Sequence, residues 1–354
     1  MQTEQLNTLT PFPFPVTFVC NHPQKWSDLF LSSSDALPDP KKIHSRIITN
    51  EDCWIILTYL YLKQRHLNIS ISDRFIPGEI CVVSAIDFRM RQKPFSCFVV
   101  GCRSDGHKPV LSNFAIVQNQ ANVESKTDVL IPHWPQPGLI PRQQERRNRI
   151  ENLVFKGHEG NLYEAFRSPE FIQELDKLGV RLVISPKPKN QPVQWHDYSD
   201  ADLVIAVRDL PHKDYLVKPA SKLVNSWMAG VPALLGPEPA FVQLRRDALD
   251  FIEIRTPQQA IDAIRRLKNE PSLYQKMIAN GLERSQDFTV ERIVQQWHDV
   301  LGGLVAQRYS RWCQRTQVSR IGEFAINVFR NQVARATANY HRHHGYRPIS
   351  GKIT

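Results

Sequence analysis

The sequence has little of what marks a secreted or membrane-embedded chain. Its six cysteines (Cys20, Cys53, Cys81, Cys97, Cys102 and Cys313) form no CxxC pair and no framework spacing. That argues against a disulfide scaffold and a structural zinc site. Most lie in apolar runs such as Val16-Thr17-Phe18-Val19-Cys20, where cysteine acts as a small hydrophobe. Free thiols fit a reducing compartment. No apolar run reaches the ~18 residues that a membrane span needs; Trp54 to Leu62 is stopped by Lys63-Gln64-Arg65. The opening MQTEQLNTLT has no basic region followed by an apolar core, so no secretory signal is read and a cytoplasmic location is expected. Repeats and low-complexity tracts are missing as well.

Acid is scarce at one end. From residue 305 onward nine basic residues (Arg308, Arg311, Arg315, Arg320, Arg330, Arg335, Arg342, Arg347, Lys352) face one acid, Glu323, which gives +8 of the chain's net +10. The rest is nearly neutral, so the tail is where an anionic partner is expected. The 354 residues suffice for two ordinary domains. An apolar fraction of 42% and a charged fraction of 23% describe a folded globular chain.

Short apolar runs alternate with polar helical stretches. In the first half, strands are expected at 16–20, 67–72, 80–86, 97–102 and 114–118, with a helix from Asn50-Glu51-Asp52 to about His66. The stretch "IPHWPQPGLIPRQQERRNRI", with four prolines, one glycine and four arginines, reads as a connector. Beyond it strands are expected at 153–156, 181–184, 203–207, 231–235 and 251–254. Helices are expected at 161–178, 219–229, 257–268, 271–286, 289–312 and about 319–340. The implied architecture is α/β, with two Rossmann-like doubly wound domains over 1–140 and 141–318, followed by a basic helix over 319–354. Ligands of such sheets bind at the carboxyl ends of the strands.

The most informative stretch is "KPASKLVNSWMAGVPALLGPEPAF", residues 218–241. Lys218, Ser221 and Lys222 cluster where a helix begins, and Gly230-Val231-Pro232 leads into a buried strand. Two lysines at a helix N-terminus oppose its dipole by about 0.3–1 kcal/mol each. A diphosphate among the lysines and free amides turns that cost into a gain. Asn225, one turn on, can offer its amide to a hydroxyl. Arg208 ends strand 203–207, and Glu238 follows strand 231–235, placed to hold sugar hydroxyls or to cap the next helix. Gly157-His158-Glu159-Gly160-Asn161 is a strand-to-helix turn of the kind that approaches phosphates, with Gly157 and Asn161 its candidate contacts. For acid–base work, His22 follows the first strand, and Asp105 with His107 follows the strand at 97–102. Asp200-Ala201-Asp202 spells a DxD but precedes its strand; it reads as a helix end, with no metal expected.

Pro219, Lys222, Leu223, Gly230 and Pro232 fit the form P-x-x-K-L-x-E-x-x-A-x-G-x-P. This resembles the donor-binding half of GT-B glycosyltransferases of the glycogen-synthase-like group. "WHDYSDADLVIAV" and the helical run from Thr256 to Trp297 extend the resemblance over about 150–300. The resemblance implies a nucleotide-sugar donor as substrate, no separate cofactor, and a last helix packing back on the N-terminal domain. It departs at the family's paired glutamates, which fall on Val217 and Asn225, so it implies no stereochemical outcome. The expected activity is hexosyl transfer to a hydroxyl, on a sugar or a lipid-linked acceptor as in polysaccharide synthesis. The basic tail is expected to touch anionic lipid rather than nucleic acid, because its aromatics are not interleaved on a strand platform. Two other readings remain open: a non-catalytic nucleotide- or polyanion-binding protein, and a nucleotide-sugar epimerase.

Overall fold

All named strands pair in parallel in a computed structural model that describes residues 9–31, 37–85, 93–106, 108–184, 194–209 and 216–344. The chain divides into two compact units, Met1–Pro132 with Val290–Thr354, and His133–Thr289. The sequence boundaries at 140 and 318 therefore differ from the ones that packing draws.

The first unit opens with β1 (Val16–Val19), a short α1 (Ser27–Leu31), a π-helical turn over Asp52–Ile56 and α2 (Leu57–Lys63). Then come β2 (Ile69–Ser72), β3 (Ile80–Ser84), β4 (Phe98–Cys102), β5 (Phe114–Val117) and β6 (Asp128–Leu130). Strand β6 was not expected; its three residues carry no apolar run. The sheet order is β2-β1-β3-β4-β5-β6. Strands β1, β3, β4 and β5 are buried throughout, as continuous apolar strands of a parallel sheet are. The helix expected to start at Asn50-Glu51-Asp52 is capped by Thr49, just ahead of it. Asp52 N–H donates to Thr49 Oγ1 and Thr49 N–H to Asp52 Oδ2, a reciprocal capping box.

The second unit holds β7 (Asn152–Phe155), α3 (Pro169–Lys177), β8 (Arg181–Ile184) and β9 (Leu203–Ala206). It continues with α4 (Ser221–Met228), β10 (Ala233–Leu235), α5 (Pro239–Val242), β11 (Ile252–Glu253), α6 (Pro257–Asn269) and α7 (Pro271–Ser285). Its sheet order, β11-β10-β9-β7-β8, is the doubly wound pattern with its switch point between β7 and β9. The helix expected over 161–178 is instead two 3₁₀ turns followed by α3, which Ser168 caps with Pro169 in its first turn. Helix α4 begins at Ser221, two residues later than Pro219 suggested.

Helices α8 (Val290–Asp299), α9 (Ala306–Cys313) and α10 (Gln317–His344) return to the first unit. A π-helical segment, Val300–Val305, joins α8 to α9 where one continuous helix was expected. Trp297 packs 6.4 Å from Trp54, and Tyr309 and Trp312 lie edge-on to Phe98. Those apolar contacts explain why the second unit ends before 318.

Candidate functional site

Two groups of chemically capable side chains stand at strand carboxyl ends, one in each unit. In the second unit the turn after β7 brings Gly157 against α4. A side-chain carbon at Gly157 would sit 3.1 Å from the Phe155 ring and 3.4 Å from Lys222 Cε. Glycine is what lets the Lys222 stem cross the turn, with its ammonium 5.4 Å from the centre of the Phe155 ring. The first turn of α4 has no side-chain cap, so its leading amides are not taken up by a capping oxygen.

Past β10, Glu238 is buried, only 1% exposed. Arg208, at the end of β9, brings Nε to 3.3 Å from Glu238 Oε2, an ion pair lacking the alignment of a full hydrogen bond. Burial pushes the Glu238 carboxyl above its ordinary range, and the charges of Arg208, Lys222 and Lys218 pull it partly back. Three cations thus act on one buried carboxylate. This cluster lies at the ends of β7, β9 and β10, on the switch point of the sheet.

Other residues expected here do something else. Asn225 is mostly buried, and its Oδ1 accepts the Gln136 N–H at 3.1 Å. Its carbonyl oxygen staples the connector instead of being available to a hydroxyl. Asn161 is exposed and closes its turn through its backbone, with its N–H donating to His158 O. Lys156, beside Gly157, donates to Asp197 O, on the segment that leads into β9.

The Asp200-Ala201-Asp202 segment is a turn, not a helix end. Asp202 is fully buried and accepts from Arg142 (2.8 Å), from Arg146 (2.7 and 2.8 Å) and from the amides of Glu151 and Asn152. Burial alone raises this carboxyl. The Arg146 bond, the two amides and Arg142 outweigh it, and the group sits below the ordinary aspartate range. Asp202 is a structural anchor for the connector arginines.

In the first unit His22 stands just past β1, again at a switch point, since β1 lies between β2 and β3. Its Nδ1 is 2.6 Å from Glu51 Oε2, while Glu51 Oε1 accepts the Asn21 N–H at 2.5 Å. The carboxylate is buried and the imidazole 56% exposed. With Glu51 accepting, the ring proton lies on Nδ1 and the Nε2 lone pair is left as the acceptor. Beside it Asp52 binds Lys25 Nζ at 2.5 Å and Trp26 Nε1 at 2.9 Å. A cavity of about 490 Å³ is lined by His22, Gln24, Lys25, Thr49, Asn50, Glu51 and Asp52.

In the sequence Glu51 stands out only as part of a helix start. Its pairing with a histidine 29 positions away leaves no local signal. Asp105 is exposed and accepts from Gln118 Nε2 at 2.9 Å, a contact that does not involve His22. His107 lies outside the described residues. No helix of the described residues is long and apolar enough to cross a membrane.

The fold is that of the GT-B glycosyltransferases. The chain is similar to sucrose-phosphate synthase from Thermosynechococcus elongatus at 9% identity and a TM-score of 0.57, covering 83% of this chain and all of that one. Weaker likenesses are to HepE of Anabaena in complex with UDP (12% identity, TM-score 0.44, 81% of this chain and 98% of that one) and to TarM (11% identity, TM-score 0.46, 63% of this chain). The chain covers 55% of the length of TarM. No protein-family model and no curated protein matches the sequence.

Proposed function

We propose that the chain transfers a glycosyl group from a nucleoside-diphosphate sugar to a hydroxyl of a sugar or lipid-linked acceptor. The observation that carries this reading is the cluster of Arg208, Lys218 and Lys222 around buried Glu238 at the switch point of the second sheet. A diphosphate is the common ligand whose charge answers cations gathered beside uncapped helix amides. As the bond from the sugar carbon to the β-phosphate oxygen breaks, its electron pair goes to that oxygen. The lysines and Arg208 stabilise the charge that builds there. The acceptor oxygen bonds to the same carbon and loses its proton to a general base; His22 Nε2 is the base that the first unit offers for that step. Glu51 holds the imidazole in the receptive tautomer and stabilises the resulting imidazolium. The residues that line the cavity beside His22 are all of polar or charged type, with aliphatic stems giving most of its surface, a mixture that suits the hydroxyls and C–H faces of a sugar. In this scheme the nucleotide sugar is substrate and the protein's own cations supply the counter-charge.

The test is thermal denaturation with UDP, GDP and ADP, for the wild type and for Lys222→Ala. One diphosphate should raise the midpoint of the wild type, and the alanine should abolish the rise. No stabilisation by any of the three, or an equal shift in the variant, overturns the donor site. Stabilisation without transfer to any offered acceptor would identify a nucleotide-binding protein instead.

A further inference from the structure

We infer that α10 and the arginine row of α9 form a docking surface for an anionic lipid bilayer. One side of α10 is anchored to its own unit. Phe324 packs 5.5 Å from Phe95, the Arg320 guanidinium lies 3.8 Å from the centre of the Trp312 ring, and Arg315 pairs with Glu323. At ~100° per residue these positions share one face. Val318, Ile321, Ile326 and Phe329 fall on the other, within an arc of about 140°. They are 81%, 43%, 54% and 67% exposed. A folded chain rarely leaves such a row of large apolar side chains uncovered unless something binds there.

The surrounding charge says what covers it. Arg308 and Arg311 on α9, with Arg315 just past its end, line an open cavity of about 180 Å³ with Asn113, Thr127, Trp312 and Glu323. Arg311 is exposed and makes no ion pair among the described residues. With Glu323 the one acid from residue 305 onward, the segment carries +8. An apolar helix face beside a strong positive charge is the pattern of helices that lie in the plane of an anionic membrane surface. A second copy of this chain would bring the same positive charge and repel. A nucleic acid would meet the arginines but gain little from the aliphatic row. The inference stands apart from the transfer reaction, since none of these residues belongs to the donor cluster or the histidine pair.

The experiment is co-sedimentation of the full chain with vesicles of phosphatidylcholine alone or with about one-third phosphatidylserine. The wild type should pellet with the anionic vesicles and not with the neutral ones. Binding should fall in ~1 M salt, where charges are screened beyond about 3 Å. The double variant Val318→Asp, Phe329→Asp should weaken binding by at least about tenfold even at low salt, because it removes the inserting groups. Arg311→Glu should weaken it as well. Both variants alter exposed side chains, and an unchanged unfolding midpoint without ligand or lipid verifies their folding. Failure of the wild type to pellet with anionic vesicles at low salt overturns the inference. So does full retention of binding by the aspartate variant, or a dimer in sedimentation that this variant dissociates.

Discussion

His22 and Glu51 divide one task between an exposed ring and a buried carboxylate. A histidine alone in solvent has no fixed tautomer. Here the 2.6 Å contact from Nδ1 to Glu51 Oε2, with Asn21 N–H holding the other oxygen, commits the proton to one nitrogen. Replacing Glu51 by Gln keeps the shape but lets the ring turn or change tautomer. His22→Ala removes the base outright. Both variants should lower the transfer rate by about 10²–10⁴-fold, while the thermal shift caused by the nucleoside diphosphate stays as in the wild type. Rates with saturating donor, measured beside the thermal shift, separate the two effects. Unaltered turnover in His22→Ala removes histidine from the chemistry.

Elements are held where these side chains need them by buried polar anchors and by close packing. Asp202 ties the connector arginines to β7 through Arg142, Arg146 and the amides of Glu151 and Asn152. Asp202→Asn leaves two guanidinium groups facing a neutral amide and should cost about 3–5 kcal/mol in denaturant unfolding. The folded carboxyl sits below the ordinary aspartate value of about 3.9, so its stabilisation is complete above that pH. It is lost as the pH falls through the lower folded value. Wild type and variant should therefore converge in strong acid and diverge above about pH 4. Helix α4, which carries Lys222, is seated on α7 through Gly281. A methyl group there would come within 2.9 Å of Trp227 Cδ1 and 3.3 Å of its Cα. Gly281→Ala gains about 1 kcal/mol of helix propensity. The clash reaches backbone, so we expect net destabilisation of about 1–3 kcal/mol by thermal melting. A more stable variant would show that the α4–α7 contact can yield.

At the scale of the whole molecule, the doubly wound order was legible because parallel strands buried on both faces read as unbroken apolar runs. That Lys218 and Lys222 fall close together was legible because helix start, charge and sheet return lie within one short stretch. What could not be read depends on contacts between distant segments: Glu51 under His22, Asn225 on Gln136, Arg142 and Arg146 on Asp202. The C-terminal helices were misassigned for the same reason, since only packing shows Trp297 against Trp54. This arrangement makes the second unit one continuous segment and the first a pair of distant ones. The second unit has its own core, running from Ile150 through Trp227 to Phe288, and the cationic cluster around Glu238 lies wholly within that unit. Residues 133–289 expressed alone should therefore unfold cooperatively and keep the diphosphate-dependent thermal shift. Residues 1–132 alone lose Trp297, Tyr309 and Trp312 from beside Trp54 and Phe98. They should show the broad, weakly cooperative melt of a chain whose apolar face has lost its cover, and adding residues 290–344 by fusion should restore a sharp transition. A sharp melt from 1–132 by itself would mean that the returning helices are an accessory to that sheet.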